Sequence, residues 1–300
     1  MGAEYAAAPK ITRMTAPIAP LFLPDGTPLP ALGLGTWRMG ESRAAHAAEL
    51  AALRLALDLG YRVFDTAEMY GEGGAEALLG EALAAALSGG LSREPLFIVS
   101  KVYPHNASAR GVVAACERSL RRLRLEQIDL YLLHWRGAVP LRDTVQGFEQ
   151  LQSRGLIRHW GVSNFDMDDM RELGEVPGGQ ACSVNQVWYS LSRRGVEFDL
   201  LPWQRARQMP LMAYSPIDQG ALASQRLLRE LAARRGIGAA QLALAWMLAQ
   251  PGVMAIPKSS DPDRLRQNWE AAALRLDAAE LAELDRLFPP PKRKQALAVG

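Results

Sequence analysis

Three hundred residues, 49% hydrophobic and 22% charged, describe neither a disordered nor a fibrous chain, and the apolar positions are spread too evenly for a membrane-spanning helix. Length alone suggests about two domains, although a single α/β barrel routinely takes this many residues. Thirty-four basic against 32 acidic side chains leave a net charge of +2, which argues against nucleic acid or an anionic membrane as partner and for a small molecule.

Residues 1–19 are rich in Ala and Pro and have no period, so they read as a flexible tail ahead of one domain over 20–290. They lack a continuous apolar run after a basic start, so no secretory leader is expected. With Cys116 and Cys182 as the only cysteines, there is no disulfide framework and no zinc cluster, and the expected compartment is the cytoplasm. LFLPDGTPLPAL carries Asp25-Gly26 between short apolar runs, a hairpin signal. Strand and helix patterns then alternate. Strands at 32–36, 61–65, 96–100 and 128–134 precede helices at 44–59, 74–87, 109–124 and 141–153. Further strands at 157–163, 183–186, 211–215 and 253–257 are each followed by a helical pattern, the last ending near Phe288 before a short tail over 291–300. Eight β-then-α units with nearly continuous apolar strands predict a closed (β/α)8 TIM barrel. GEGG at 71–74 suggests an open dinucleotide fold, but a G-x-G-x-x-G fingerprint from Gly71 needs glycine where Glu76 stands, so these glycines are expected to shape a βα loop.

Barrel chemistry belongs at the carboxyl ends of the strands. Asp65 ends the second strand, Tyr70 lies in the loop after it, Lys101 follows the third and His134 ends the fourth. Only five basic residues are Lys, and three of these, Lys10, Lys292 and Lys294, lie in the tails; Lys101 and Lys258 are the ammonium groups of the globular part. A site that needs a compact, tunable point charge cannot substitute Arg. Adjacent strands are about 4.8 Å apart, so Asp65, Lys101 and His134 can converge. A phenol near pKa 10 is a poor acid at neutral pH, and a neighbouring ammonium is expected to lower that value while Asp65 holds the ammonium charged. The set suits proton donation to a carbonyl oxygen, with a histidine N–H as second donor. Two lysines at strand ends also suit a Schiff-base aldolase.

FDTAEMYG, VSKVYP, DLYLLHW, SLRRLRLEQIDLYLLH and IPKSSDPDRLRQN together resemble the aldo-keto reductase family over residues 21–288. The resemblance places the family's tetrad on Asp65, Tyr70, Lys101 and His134. It implies NADPH held without a Rossmann fold, hydride from its nicotinamide C4 and a proton from Tyr70. FDTAEMYGEGGAE, VSKVYPHN and LLHWRG look closest to bacterial members that reduce methylglyoxal and other small aldehydes. It further implies Ser163, Asn164 and Gln186 on the nicotinamide carboxamide, Tyr214 stacked on the ring, and Gly35, Thr36 and Trp37 beside the cofactor. Ser215, Pro216, Ile217, Gln219, Gly220 and Leu222 fall on the pyrophosphate loop. Ile256, Lys258, Ser259, Ser260, Arg264, Gln267 and Asn268 fall at the adenosine end.

Trp37, Tyr103 and Trp135 follow strand ends and would line an apolar substrate pocket, or else pack; His105 could line it too. His46 and His159 read as structural, Cys116 and Cys182 as fillers, and Arg118, Arg121, Arg122 and Arg124 as a solvated helix face. Asp261-Pro262 reads as a cap and first helical residue, whose N–H groups, with Arg264, Lys258 and Ser259, would favour a 2′-phosphate and hence NADPH over NADH. No metal is expected. The short tail suggests an open pocket, and no long apolar seam suggests more than a monomer. The competing readings are the aldolase and a non-catalytic NADPH sensor.

Overall fold

The computed structural model describes residues 20–300, so the tail expected at 1–19 lies outside the described residues. Strands β1 (Leu21–Phe22) and β2 (Pro28–Leu29) pair antiparallel around a turn where Gly26 takes φ +85°, a conformation open to glycine because it has no Cβ. Asp25 Oδ1 accepts the Thr27 N–H at 2.9 Å and closes the turn.

The alternation then runs β3 (Leu34–Gly35), α1 (His46–Leu59), β4 (Val63–Asp65), α2 (Gly74–Ser88), β5 (Phe97–Val102), α3 (Ala109–Leu123), β6 (Ile128–Leu133), α4 (Leu141–Ser153), β7 (Ile157–Ser163) and α5 (Met167–Glu175). It continues through β8 (Asn185–Trp188), α6 (Leu200–Arg205), β9 (Leu211–Tyr214), α7 (Ala221–Ser224), α8 (Arg226–Arg234), α9 (Ala239–Leu248), β10 (Val253–Ile256), α10 (Pro262–Ala271) and α11 (Ala278–Leu287). Strands β3 to β10 form one parallel eight-stranded sheet in chain order. Parallel bridges Leu32↔Ala255 and Gly35↔Lys258, with Gly33 N–H donating to the Ala255 carbonyl at 2.9 Å, join its two edges into a barrel. The expected fold class is therefore the observed one.

Two boundaries matter to the chemistry. β5 runs two residues past its expected end, so Lys101 lies inside the strand rather than after it, and His134 stands just beyond β6. The strand expected at 183–186 is shifted to Asn185–Trp188, because a short turn at Gly179–Ala181 occupies its approach and pairing with β9 carries it on to Trp188↔Tyr214.

The period of two along each strand decides what faces the barrel axis. Val63, Val99, Leu130, Leu132, Val184, Met212, Met254 and Ile256 form one buried interior cluster, closed at the amino end by Leu23 and Leu29 of the hairpin. Their neighbours Phe64, Ile98, Tyr131, Leu133, Ala213 and Ala255 pack outward against the helices. Two residues beyond an interior apolar position, the rows end in Asp65, Lys101, His134, Gln186 and Lys258. Gly161 of β7 leaves room for this interior, since a Cβ there would press on the Val184 carbonyl. Burying these rows on both sides is what sets the polar residues in register at one end.

Candidate active site

Lys101 is fully buried and its ammonium is surrounded by acceptors. Nζ donates to Asp65 Oδ2 at 2.7 Å, to the Thr66 carbonyl at 2.9 Å and to the Tyr70 hydroxyl at 3.2 Å. Gln186 Nε2 donates to the other Asp65 oxygen at 2.7 Å. The His134 ring meets Tyr70 edge to face at 5.6 Å between centroids, and its Nδ1 is buried without a partner. Tyr70 reaches this cluster because the loop after β4 turns sharply: Gly71, Glu72 and Gly73 all have left-handed φ, as expected for the GEGG segment.

The electrostatics differ from the sequence reading. Burial holds the Tyr70 hydroxyl well above the usual phenol value, and the Asp65 charge adds to that rise. The ammonium does not lower it, because Asp65 already neutralises Lys101 at 2.7 Å and the phenol faces little net positive charge. Burial pulls Lys101 below the ordinary lysine value, opposed by Asp65 and then by Glu76. His134 is held well below the usual imidazole range by burial first and by the Lys101 charge second, so at neutral pH it is an uncharged ring with one N–H. The site thus offers a protonated phenol backed by an ion pair and a neutral imidazole.

Around this cluster, Asn164 Nδ2 donates to the His134 carbonyl at 3.1 Å and to Ser163 Oγ at 3.2 Å, while its Oδ1 accepts the Tyr214 hydroxyl at 2.8 Å. Ser163, Asn164, Gln186 and Tyr214 are therefore gathered at one edge of the barrel mouth. Thr36 spends its hydroxyl on the Asp65 carbonyl at 3.0 Å, and Arg38 stacks 4.3 Å over the half-buried Trp37, next to Gly35. The loop after β9 has left-handed φ at Ser215, Asp218, Gln219 and Gly220, and Asp218 is tied to Ser192 at 2.9 Å and Arg193 at 2.7 Å. Pro216 and Leu222 are buried and Ile217 packs on the core, leaving the backbone, the Ser215 hydroxyl and Gln219 as what this loop can offer a phosphate. Ile256 likewise packs in the barrel interior.

At the far end, Lys258 is half-buried and Arg264 and Gln267 are exposed, whereas Asn268 is buried and Ser260 half-buried. The cap expected at Asp261 is present, but it overturns one part of the anion reading. Asp261 Oδ1 itself accepts the Asp263 N–H at 2.9 Å and the Arg264 N–H at 3.0 Å, so those groups are not free for a phosphate. Ser259 Oγ accepts the Asp261 N–H at 3.1 Å. Lys258 and Arg264 make no ion pair among the described residues, and burial holds the Lys258 ammonium below its ordinary value. Two unpaired cations suit an anionic group such as a cofactor phosphate.

The aromatic residues after the strands form a continuous row. His134 contacts Trp135 at 4.9 Å, Trp135 meets Tyr103 edge to face at 5.8 Å, and Tyr103 lies 4.6 Å from His105. Trp37 stands apart from this row. The tail does not leave the mouth open: Lys294 pairs with Asp168 at 3.3 Å, Leu297 packs on the core, and Gly300 lies against the Trp188 ring near Gln219. The arginine run is not uniformly solvated either. Arg118 and Arg122, one turn apart on α3, reach inward to the buried carboxylates of Glu68 at 3.1 Å and Glu76 at 3.0 Å. Their i,i+4 spacing against two acids in the β4–α2 segment was the available signal. His46 pairs with Glu81 at 3.2 Å on the surface, His159 lies 3.6 Å from Asp25 at the hairpin end, and both cysteines are buried with thiols pushed up to about 12. No metal-binding cluster and no helix long and apolar enough to cross a membrane occur among the described residues.

Residues 31–288 match the family model described as the aldo/keto reductase family. The chain is 50% identical over 274 residues to the methylglyoxal reductase YeaE of Escherichia coli, covering 90% of this chain and 94% of that protein. It is 34% identical to the glyoxal reductase of Bacillus subtilis, covering 88% and 91% of the two chains. The structure of an aldo-keto reductase from Klebsiella pneumoniae in complex with NADPH superposes with a TM-score of 0.89 at 45% identity, covering 94% of this chain and 99% of that one.

Proposed function

The chain belongs to the aldo/keto reductase family, and on that premise we propose that it reduces small aldehydes, 2-oxoaldehydes such as methylglyoxal among them, to alcohols with NADPH. The observation that carries this reading is the Lys101 cluster, in which one buried ammonium joins Asp65 and the Tyr70 hydroxyl beside a neutral His134. NADPH supplies the hydride when bound. The carbonyl oxygen would take a hydrogen bond from Tyr70 and another from the His134 N–H, and as negative charge develops on it the Tyr70 proton would transfer. A phenol held protonated by burial cannot lose that proton to solvent beforehand. The Lys101 Nζ, 3.2 Å from the hydroxyl, would keep its hydrogen bond to the phenolate oxygen left behind, and Asp65, held by Gln186, opposes the loss of the Lys101 charge to burial.

Ser163, Asn164 and Tyr214 would hold the nicotinamide end, the backbone of the loop after β9 the pyrophosphate, and Lys258, Ser259 and Arg264 the 2′-phosphate. Residues 20–290 act as one catalytic unit in this reading, and the protein works as a cytoplasmic monomer. A Schiff-base role suits Lys101 poorly, since a nucleophilic amine needs a free lone pair and this one donates three hydrogen bonds.

The test is NADPH oxidation with methylglyoxal by wild type and Tyr70→Phe. Removing the general acid should lower turnover at least about a hundredfold while the Kd for NADPH stays within about twofold. A variant retaining more than about a tenth of wild-type kcat, with hydride transfer rate-limiting, would remove Tyr70 from this role.

A further inference from the structure

Glu68 lies two residues before Tyr70, and its buried carboxylate takes no part in the chemistry above. Oε1 accepts the Tyr103 backbone N–H at 2.8 Å and the Asn106 side-chain amide at 3.0 Å, and Oε2 accepts Arg118 Nη2 at 3.1 Å. The Glu68 backbone N–H donates to the Lys101 carbonyl at 3.3 Å. One acid therefore ties the loop that carries Tyr70 to the loop after β5 that carries Tyr103. Burying a carboxylate is costly unless it is paired, and here Arg118 supplies the charge while two further donors fill the other oxygen. Replacing it with an apolar residue would leave the Arg118 guanidinium and the Tyr103 N–H without their acceptor, so the acid holds both in place.

That geometry is the aromatic row. Tyr103 packs on Trp135, Trp135 on His134, and His134 on Tyr70, so displacing the Tyr103 backbone disturbs a row of rings that leads to the reacting residues. Gly137 of the loop after β6 packs so closely on Pro104 that a Cβ there would collide with it, so this loop lies directly against the Tyr103 segment. We propose that Glu68 is a positioning residue for the substrate wall, acting through Tyr103 to set selectivity for aldehydes with a flat apolar substituent over small ones. The inference rests on the carbonyl-reductase reading of the site. A three-carbon aldehyde needs little of this wall, whereas an aryl aldehyde must lie along it.

The experiment measures kcat and KM for 4-nitrobenzaldehyde and methylglyoxal, together with the NADPH Kd by fluorescence, in wild type, Glu68→Ala, Glu68→Gln and Tyr103→Ala. Glu68→Ala should raise KM for the aryl aldehyde about tenfold or more with kcat within about threefold, leave the methylglyoxal KM within about threefold, and leave the NADPH Kd unchanged, as expected when a binding surface is displaced but the reacting groups are not. Glu68→Gln keeps an oxygen for the Tyr103 N–H and should recover most of the loss. In the Tyr103→Ala background Glu68→Ala should add little. Where Glu68→Ala fails to fold, Glu68→Ser, which leaves space for a water to serve the donors, should show the same shift. Equal KM changes for both aldehydes, a fall in kcat alone, or full additivity with Tyr103→Ala would overturn the role of Glu68. Wild type that reduces neither aldehyde would instead overturn the reading of the site on which it rests.

Discussion

Replacing Lys101 by Met keeps the length of the side chain and deletes its charge, which isolates what the buried ion pair contributes. The pair is closed at 2.7 Å, with the Lys side chain fully buried and that of Asp65 3% exposed. Removing one member of such a pair leaves an uncompensated buried charge and costs about 3–5 kcal/mol. Gln186 still serves Asp65 Oδ1, which places the expected loss near about 3 kcal/mol, while Oδ2 and the Thr66 carbonyl lose their donor. In a chain of this size that corresponds to a Tm lower by about 5 °C. The double variant Asp65→Asn, Lys101→Met removes both charges, so its stability should return to within about 1 kcal/mol of wild type. Neither of these variants, nor Asp65→Asn alone, should reduce methylglyoxal appreciably. Urea unfolding with the m-value checked in each, and steady-state turnover beside it, separate the stabilising role from the chemical one. Additive losses, with the double variant less stable than either single one, would refute the argument that the pair exists to satisfy Asp65 and Lys101 jointly.

Two further outcomes follow from the same geometry. His134 takes up a proton in the folded protein only well below the usual imidazole value, so between that point and about pH 6.5 the unfolded chain binds more protons; its share of stability is complete above about pH 6.5 and is lost as pH falls below it, and the stability of His134→Asn should vary less over that window. Arg264→Ala should weaken NADPH roughly ten- to a hundredfold with NADH little changed, measured as Kd for both, and equal losses for the two would remove Arg264 from the 2′-phosphate.

What the sequence made legible is what a period of two controls. Because Val63, Val99 and Leu132 face the axis, the residues two places on must face it too, and Asp65, Lys101 and His134 could be brought together from spacing alone. The sign of the Tyr70 shift was not legible, because it depends on a distance. An ammonium beside a phenol favours phenolate only if its charge is free, and a 2.7 Å contact with Asp65 leaves almost none of it free. The arginine run failed for a related reason: a count of charges does not say which share a face, and only Arg118 and Arg122 point at buried acids.

The segment after β10 shows the same limit in its sharpest form. Asp261 was read both as the cap of α10 and as the doorway of an anion site, yet each backbone N–H donates to one strong acceptor, and the Asp261 carboxylate takes those of Asp263 and Arg264. The better the cap, the less the helix end can offer a phosphate. Any discrimination between NADPH and NADH at this end must then come from side chains, from the unpaired cations of Lys258 and Arg264 acting against the carboxylate of the cap itself. The exposed Arg264 charge is screened within about 8 Å at physiological salt, so it favours a phosphate only in direct contact, whereas the half-buried Lys258 is screened less.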